Sequence, residues 1–414
     1  MRFQLVKSVG QPDFLDLPWQ APLETWRSER IVEIAAGIHR HIVRFVDYDG
    51  ALYALKELPE RLAEREYRLL RALGDDKLPV VEAVGVVSGR PTPTAGDEPN
   101  AILITRHLDF SLPYRTLFTG HGVPDLRERL LDALAQLLAR LHLTKFFWGD
   151  CSLSNTLFRR DAGALAAYLV DAETGELRTQ LSDRMREYDL DIAQENVAGE
   201  LMDVQAGFGV LAKVDPFETA HELRRRYDFL WSELTREETF SRTEGYRIDA
   251  RLQRLNDLGF DVEEVELITD GDGYKLRLQT HVVEPGHYRR RLLQMTGLDV
   301  QQNQARRLLN DIARYRAELE GTAGKPLPEA VVAYRWLREV YDPAIALIPA
   351  DLREKLEPPE LFHQLLEHHW FLSEEAGEDV GLRDAVKDYI ERVLRHVPDE
   401  RNLLADAGPT APEP

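Results

Sequence analysis

Three polar residues in the stretch from 148 to 171 have the types and spacing for phosphoryl-transfer chemistry. Asp150 precedes Asn155 by five residues, and the apolar run AAYLV leads directly to Asp171. An acid can orient a hydroxyl group and accept its proton, while an asparagine and a second aspartate supply oxygen ligands of the kind that Mg²⁺ prefers. The same spacing also fits an ordinary Asx turn, so the interpretation needs support from elsewhere in the chain.

A lysine and a glutamate upstream supply that support. Lys56 ends the strand-like segment ALYALK, where a buried ammonium is costly unless it is paired. Glu66, in the next predicted helix, is the preferred partner, because Leu70 and Leu73 follow it at helical spacing and place it beside the inward face. Glu64 is the competing choice. Such a pair would bind nucleotide phosphates and fix the helix against a sheet.

The elements that must position these residues follow from the hydrophobic pattern. Alternation over 31–56 predicts strands, with AspGly at 49–50 as a hairpin turn. A helix is predicted over 59–73, and two further strands lie in LPVVEAVGVV and NAILITRHL. A helix over 125–143 then leads into the loop that carries Asp150, and a short hairpin separates this loop from the strand that ends at Asp171. The ordered set favours a functional site over coincidence.

The later chain has a different pattern. Helices dominate from 185 to about 240, and a helix over 246–259 precedes two strands on either side of AspGlyAspGly at 270–273. A helical series completes the chain. We predict an N-terminal extension over 1–24, two lobes over 25–108 and 109–240, a C-terminal domain over 241–400 and a disordered tail over 401–414.

Composition limits the class of protein. The 414 residues carry a formal charge of −20, which argues against nucleic-acid binding and against binding to anionic lipid. We find neither an apolar run long enough to span a bilayer nor the pattern of a signal peptide. The single cysteine, Cys151, fits a reducing compartment, so we expect a cytoplasmic protein.

The arrangement resembles the protein-kinase-like fold, in the branch of lipopolysaccharide (Kdo/WaaP-type) kinases and aminoglycoside phosphotransferases. EREYRLLRALGDDKLPVVEAVGVV resembles the kinase helix C and its following strand, ILITRHL the strand before the hinge, WGDCSLSNTLF the catalytic loop, and LVDAE the metal-binding strand end. The resemblance covers about residues 25–240. The whole chain is similar to bacterial, largely actinobacterial, proteins that add a C-terminal domain of unknown function.

The resemblance implies an α+β fold: a bilobal kinase-like part, then a small α/β hairpin region and a helical C-terminal domain. It implies transfer of the γ-phosphate of Mg·ATP to a hydroxyl acceptor, a small molecule or saccharide rather than a protein. Asp150 would be the base, Lys56 and Glu66 would bind nucleotide, and Asn155 and Asp171 would hold Mg²⁺. The C-terminal domain could bind a protein partner.

Several positions depart from the family pattern. The nucleotide-covering loop has one glycine, Gly37, where kinases carry several. His39, Arg40 and His41 could supply side-chain donors instead, or the loop does not cover ATP at all. Trp148 stands at the usual histidine, so packing must brace the loop, and Ser152 stands where many protein kinases have lysine. These departures leave a pseudokinase as the alternative, acting as a nucleotide-binding scaffold or regulator. A DNA-binding regulator that uses the helices over 295–316 is a distant third.

Overall fold

The protein mixes helices and strands, and the computed structural model divides it into two compact units. The first consists mainly of Met1–Phe158 and Ala167–Asp228, and the second of Arg159–Ala166 and Phe229–Arg401. The structure describes residues 1–6, 11–32, 41–91, 100–119, 126–208, 214–236, 238–240, 254–255, 258, 260, 264–269, 276–281, 286–323 and 326–401. The predicted turn at 270–273, most of the predicted helix over 246–259 and residues 402–414 of the predicted tail lie outside these ranges.

A six-stranded antiparallel sheet forms the first part of the first unit. Its strands, in spatial order, are β1 (Arg2–Leu5), β5 (Glu82–Ser88), β6 (Asn100–Arg106), β4 (Ala51–Pro59), β3 (Ile42–Tyr48) and β2 (Ile31–Val32). β3 and β4 pair around Asp49 and Gly50, which both have positive φ, as a tight hairpin turn requires. The predicted order of strand, strand, helix, strand, strand is confirmed by β3, β4, α1 (Glu60–Asp75), β5 and β6.

The N-terminal segment covers one face of this sheet. β1 adds an edge strand by pairing with β5, which the sequence analysis did not predict. Phe14, Trp19 and Trp26 are buried in a cluster with side chains of the sheet, and Trp19 packs edge-on against Trp26 with ring centroids 5.1 Å apart. Aromatic residues bury a large apolar area each, so this short segment completes a core.

The opposite face of the sheet meets α1. Side chains alternate along β4, so Tyr53 and Leu55 enter the aromatic core and Lys56 points to the other face. Leu70 and Leu73 of α1 are buried. The alternation therefore brings a lysine to the side of the sheet where α1 packs.

The rest of the first unit is mainly helical. Its helices are α2 (Tyr114–Thr119), α3 (Leu126–Leu143), α4 (Asp183–Phe208) and most of α5 (Pro216–Thr235), and its short strands include β7 (Phe146–Phe147), paired with β10 (Glu176–Leu177). The strands β8 (Thr156–Asp161) and β9 (Ala164–Leu169) form the predicted hairpin before Asp171. α3 is buried over most of its circumference, which makes it the central helix of this part.

The second unit begins with a small antiparallel sheet of β11 (Glu238–Phe240), β13 (Leu276–His281) and β12 (Glu264–Thr269). β12 pairs with β13 as predicted, whereas 238–240 form a strand where helix was expected. Helices follow: α6 (His287–Thr296), α7 (Gln302–Ala323), α8 (Glu329–Trp336), a π turn (Leu337–Tyr341), α9 (Asp342–Ala346), α10 (Ala350–Arg353), α11 (Pro358–Ala376), α12 (Leu382–Tyr389) and a second π turn (Ile390–Leu394). Among the described helices, none has both the length and the apolar character needed to cross a bilayer.

The tip of the β8–β9 hairpin belongs to this second unit. Asp161 accepts hydrogen bonds from the backbone N–H groups of Asn303 (3.1 Å) and Gln304 (2.8 Å). A carboxylate at this position stabilises the N-terminal end of α7. Two charged pairs flank this contact: Arg159 lies 2.5 Å from Glu357, and Arg160 lies 2.6 Å from Glu400. The hairpin tip is thus built into the helical core of the second unit.

Candidate functional site

Lys56 is surrounded by three carboxylates from two different elements. Its Nζ lies 3.0 Å from Oε2 of Glu66 on α1, 2.6 Å from Oδ2 of Asp171 and 3.3 Å from Oε2 of Glu173. Glu64, the competing choice, lies at the surface and pairs with Arg2 at 2.8 Å. The structure therefore brings Lys56, Glu66 and Asp171 together at the end of the strand that precedes Asp171.

The charges of this group are coupled. Burial alone would lower the pKa of Lys56, but Glu66 and Asp171 outweigh it and raise that pKa above its ordinary value. Burial would raise the pKa of Asp171, but Lys56 overrides burial and lowers it. For Glu66, burial and the charge of Asp171 both raise the pKa. Asp171 therefore keeps its negative charge more firmly than Glu66 does.

Asp150 lies on the loop between β7 and β8, and amide groups contact its carboxylate. Nδ2 of Asn155 lies 3.2 Å from Oδ2 and 3.1 Å from the backbone carbonyl oxygen of Asp150. Nδ2 of Asn196, on α4, donates to Oδ1 at 3.0 Å and to the carbonyl oxygen of Cys151 at 3.1 Å. The loop thus holds Asp150 and Asn155 side by side.

Two hydrogen bonds connect this loop to the strand end that carries Asp171. The indole N–H of Trp148 donates to the carbonyl oxygen of Asp171 at 2.9 Å, and the N–H of Val170 donates to the carbonyl oxygen of Asn155 at 3.0 Å. Trp148 is fully buried. The predicted bracing by packing is therefore accompanied by a direct hydrogen bond.

Glycine is needed at one position of the loop. Gly149 has φ +74°, which favours glycine, and a Cβ atom there would lie 2.9 Å from the ring of Phe147. Its N–H donates to Asp189 at 2.8 Å. The residue before Asp150 thus combines a conformation that suits glycine with a hydrogen bond to α4.

Helix α4 supplies side chains that bind the loop and that the sequence analysis missed. Asp189 is fully buried and accepts the N–H groups of Trp148 and Gly149, both at 2.8 Å. Glu200 accepts the N–H groups of Leu153 (2.6 Å) and Ser154 (3.0 Å). With Asn196 between them, these residues are spaced seven and four apart, which places them on one face of α4. The sequence contained one signal for them, because these polar residues recur at the spacing of a single helix face that packs inward.

The structure also describes His41 and Cys151, two further residues of the sequence analysis. Nε2 of His41 lies 2.8 Å from Oε2 of Glu173, next to the Lys56 group. Cys151 is buried, and burial raises the pKa of its thiol, so the reactive thiolate is disfavoured. Gly37, His39 and Arg40 lie outside the described residues, and their roles stay predictions.

Comparisons with known proteins give matches to two families. Residues 50–201 match the lipopolysaccharide kinase (Kdo/WaaP) family, and residues 229–394 match a domain of unknown function, DUF4032. No curated protein matches the chain. Among solved structures, the chain is similar to one described as "WaaP in complex with acyl carrier protein", with 18% sequence identity and a TM-score of 0.32, over 54% of this chain and 89% of that one.

The match over residues 50–201 includes Lys56, Glu66, Asp150, Asn155 and Asp171, as well as the loop-binding face of α4. The later match covers most of the second unit. The chain therefore joins a kinase-like part that matches the lipopolysaccharide kinase (Kdo/WaaP) family to a later part that matches DUF4032.

Proposed function

We propose that the first unit transfers the γ-phosphate of Mg·ATP to a hydroxyl group of a saccharide or another small molecule. The contact of Lys56 with both Glu66 and Asp171 is the observation that carries this proposal. It joins one ammonium from the sheet, one carboxylate from α1 and one from a strand end, which is the set that kinase-type phosphoryl transfer uses.

Lys56 and Glu66 have separate tasks in this proposal. Lys56 binds phosphate oxygens of the nucleotide, because its ammonium is the positive charge nearest to Asp171 among the contacts described above. Glu66 keeps the ammonium oriented from α1, where its side chain is 1% exposed and 3.0 Å from Nζ. Loss of either side chain should weaken nucleotide binding.

Asn155 and Asp171 fit a magnesium ion. The Asn155 amide nitrogen contacts Asp150, so the amide oxygen is the atom that would face a cation. With the Asp171 carboxylate it would give two oxygen ligands, of the kind that Mg²⁺ takes in addition to waters and substrate phosphates. When bound, the ion neutralises negative charge on the phosphates.

Asp150 is the proposed base. The acceptor oxygen forms a bond to the γ-phosphorus as the bond to the β–γ bridging oxygen breaks, the acceptor proton passes to Asp150, and ADP leaves. A positioned base of this kind contributes about 10²–10⁴ in rate. A carboxylate has about four lone-pair sites, and the amides of Asn155 and Asn196 each use one in the bonds described above.

A small-molecule acceptor is supported by two observations. The family matched over residues 50–201 is named for lipopolysaccharide kinases, which points to saccharide hydroxyls. Ser152 occupies the position at which many protein kinases have a lysine. We therefore rank a saccharide hydroxyl above a protein side chain.

Calorimetry of ATP binding, with and without Mg²⁺, tests the nucleotide site. Lys56→Met and Asp171→Asn should each weaken Mg·ATP binding at least about tenfold, because each removes a charged partner of the phosphates or the ion. Exposed Lys77 and Asp75 allow matched controls, and Lys77→Met and Asp75→Asn should bind like the wild type. Absence of wild-type binding in both conditions would sink the proposal.

Turnover separates an enzyme from a pseudokinase. Transfer of the labelled γ-phosphate to water and to a panel of saccharides and proteins should show release or transfer by the wild type. Asp150→Asn should reduce this turnover by about 10²-fold or more while Mg·ATP still binds. Binding without turnover across the panel would favour the scaffold function instead.

A further inference from the structure

Asn196 contacts the proposed base from outside the loop that carries it. Its side chain reaches from α4 to Asp150, and both hydrogens of its amide are used: one bond to Oδ1 at 3.0 Å and one to the carbonyl oxygen of Cys151 at 3.1 Å. We propose that Asn196 is a positioning residue for Asp150, an inference that rests on the phosphotransferase function proposed above.

The two amides that contact Asp150 have different tasks. Asn155 contacts Oδ2 of Asp150 and is also the proposed metal ligand, so its amide must satisfy both the base and the ion. Asn196 serves the loop alone, since both of its amide hydrogens are directed to residues 150 and 151. Asn196 therefore fixes the orientation of the base, whatever Asn155 binds.

The position of Asn196 on α4 supports this task. Asp189 and Glu200 hold backbone N–H groups before and after Asp150, and Asn196 lies between them on the same helical face. The loop backbone is thus fixed to α4 on both sides of the base. Asn196 adds a contact to the carboxylate itself, which the other two do not make in the bonds described here.

Two bonds from one amide fix direction as well as distance. The carbonyl of Cys151 sets where the Asn196 amide lies, and the second hydrogen then determines where Oδ1 of Asp150 lies. A misplacement of about 1 Å at a reacting group can cost about 10²-fold in rate. Loss of Asn196 should therefore lower the rate of the chemical step and leave nucleotide affinity almost unchanged.

The kinetic test compares Asn196→Leu with Gln194→Leu. Leucine is close in size to asparagine but donates no hydrogen bond, and among the described residues Gln194 makes no hydrogen bond to the loop, although it lies on the same helix. Asn196→Leu should lower kcat for ATP turnover by about 10- to 100-fold, with KM for ATP within about twofold of the wild type. Gln194→Leu should change neither value. A loss confined to KM, or an unchanged kcat, overturns the proposal.

A swapped pair, in which Asn196 becomes Asp and Asp150 becomes Asn, tests the contact between the two side chains by a measurement of stability that does not depend on enzyme activity. Asn196→Asp places two carboxylates about 3 Å apart and should lower the unfolding midpoint at neutral pH by about 3–6 °C. In the Asp150→Asn background the same substitution re-forms a bond from an amide to a carboxylate, so most of this loss should disappear. Gln194→Glu, which adds the same charge on α4, should have equal effects in both backgrounds.

The two experiments separate this inference from the proposed function. If the wild type binds Mg·ATP without turnover, the phosphotransferase proposal fails, and the swapped pair still shows whether Asn196 holds the acid. Equal losses for Asn196→Asp in both backgrounds would show that the two side chains are not coupled. That result would overturn the inference even in an active enzyme.

Discussion

At the scale of single residues, Trp148 connects two parts of the site. Its side chain is fully buried, and its indole N–H donates to the carbonyl oxygen of Asp171. The kinase pattern usually has a histidine here, and a tryptophan also presents a ring N–H. The tryptophan therefore keeps a ring N–H donor directed at the strand end that carries Asp171 and adds apolar volume.

Trp148→Phe removes this donor and keeps most of the packing. The carbonyl of Asp171 then loses a buried partner, and we expect a loss of about 1–3 kcal/mol in the free energy of unfolding. Affinity for Mg·ATP should fall as well, because Asp171 is less well held. Trp19→Phe is the matched control, since its buried indole donates to the carbonyl oxygen of Phe14 at 2.7 Å. It should cost similar stability without affecting nucleotide affinity, and equal affinity losses in both variants would contradict this role.

At the scale of elements, α4 fixes the loop that carries Asp150 through several side-chain contacts. Asp189, Asn196 and Glu200 contact successive parts of residues 148–154. Charged acceptors for backbone N–H groups are stronger than neutral ones. One helix therefore sets the path of the chain on both sides of Asp150.

Asp189→Asn should show how much the loop depends on α4. The carboxylate accepts two backbone N–H groups and lies 3.1 Å from Nε2 of His142, whereas an amide must direct its own N–H₂ toward one of these groups. We expect a loss of about 2–3 kcal/mol in denaturant unfolding and a lower kcat. Asp191→Asn, at an exposed position of the same helix, should lie within about 0.5 kcal/mol of the wild type. Similar losses in both variants would argue against a special role for Asp189.

The predictable elements are those with local patterns. The hairpin of β3 and β4, α1 and the approach to Asp171 follow from alternation, helical spacing and turn residues within short windows. The pairing of β1 with β5 joins residues 80 to 86 positions apart, and the four residues of β1 are too few for a pattern that would predict it. The α4 residues were missed because a polar residue on a helix is ordinarily at the surface, and only the fold shows what lies opposite.

At the scale of the whole molecule, the second unit contains buried acids with altered titration. Burial raises the pKa of Glu400 to about 7 and that of Asp161 to about 6, from ordinary values of 4.5 and 3.8. A carboxyl group whose pKa is higher when folded binds its proton more tightly in the folded state. These groups therefore stabilise the fold at low pH, and their contribution is lost as the pH rises through about 6 and 7.

The variant Glu400→Gln tests whether the free energy of unfolding falls as the pH rises through the raised pKa of Glu400. Between about pH 5 and pH 8, the wild type should lose on the order of 2 kcal/mol more unfolding free energy than the variant, because glutamine does not titrate. Thermal or urea unfolding at a series of pH values measures the difference. Glu391→Gln, at an exposed position, should follow the wild-type pH dependence. A larger loss in Glu400→Gln than in the wild type would contradict the raised pKa.

Removing residues 237–414, which form most of the second unit, should disturb the segment between Asn155 and Asp171. In a fragment that ends after Arg236, the hairpin residues Arg159 and Asp161 lose Glu357 and the α7 backbone. We expect faster amide hydrogen exchange at 159–166 than in the full chain, together with weaker Mg·ATP binding. The full-length Arg383→Ala variant, altered at an exposed position, controls for mutation in the second unit. Unchanged exchange in the fragment would show that the hairpin holds its own structure.

The contacts of the hairpin tip also limit how relatives of this protein can exchange their C-terminal parts during evolution. Residues 159–161 contact partners 142 to 240 positions further along the chain. Recombination that replaced only the C-terminal part would leave these three positions facing a foreign surface, although they are encoded within the kinase-like part. Among relatives, we therefore expect substitutions at 159–161 to covary with those at 303, 357 and 400, so that the two parts are inherited together.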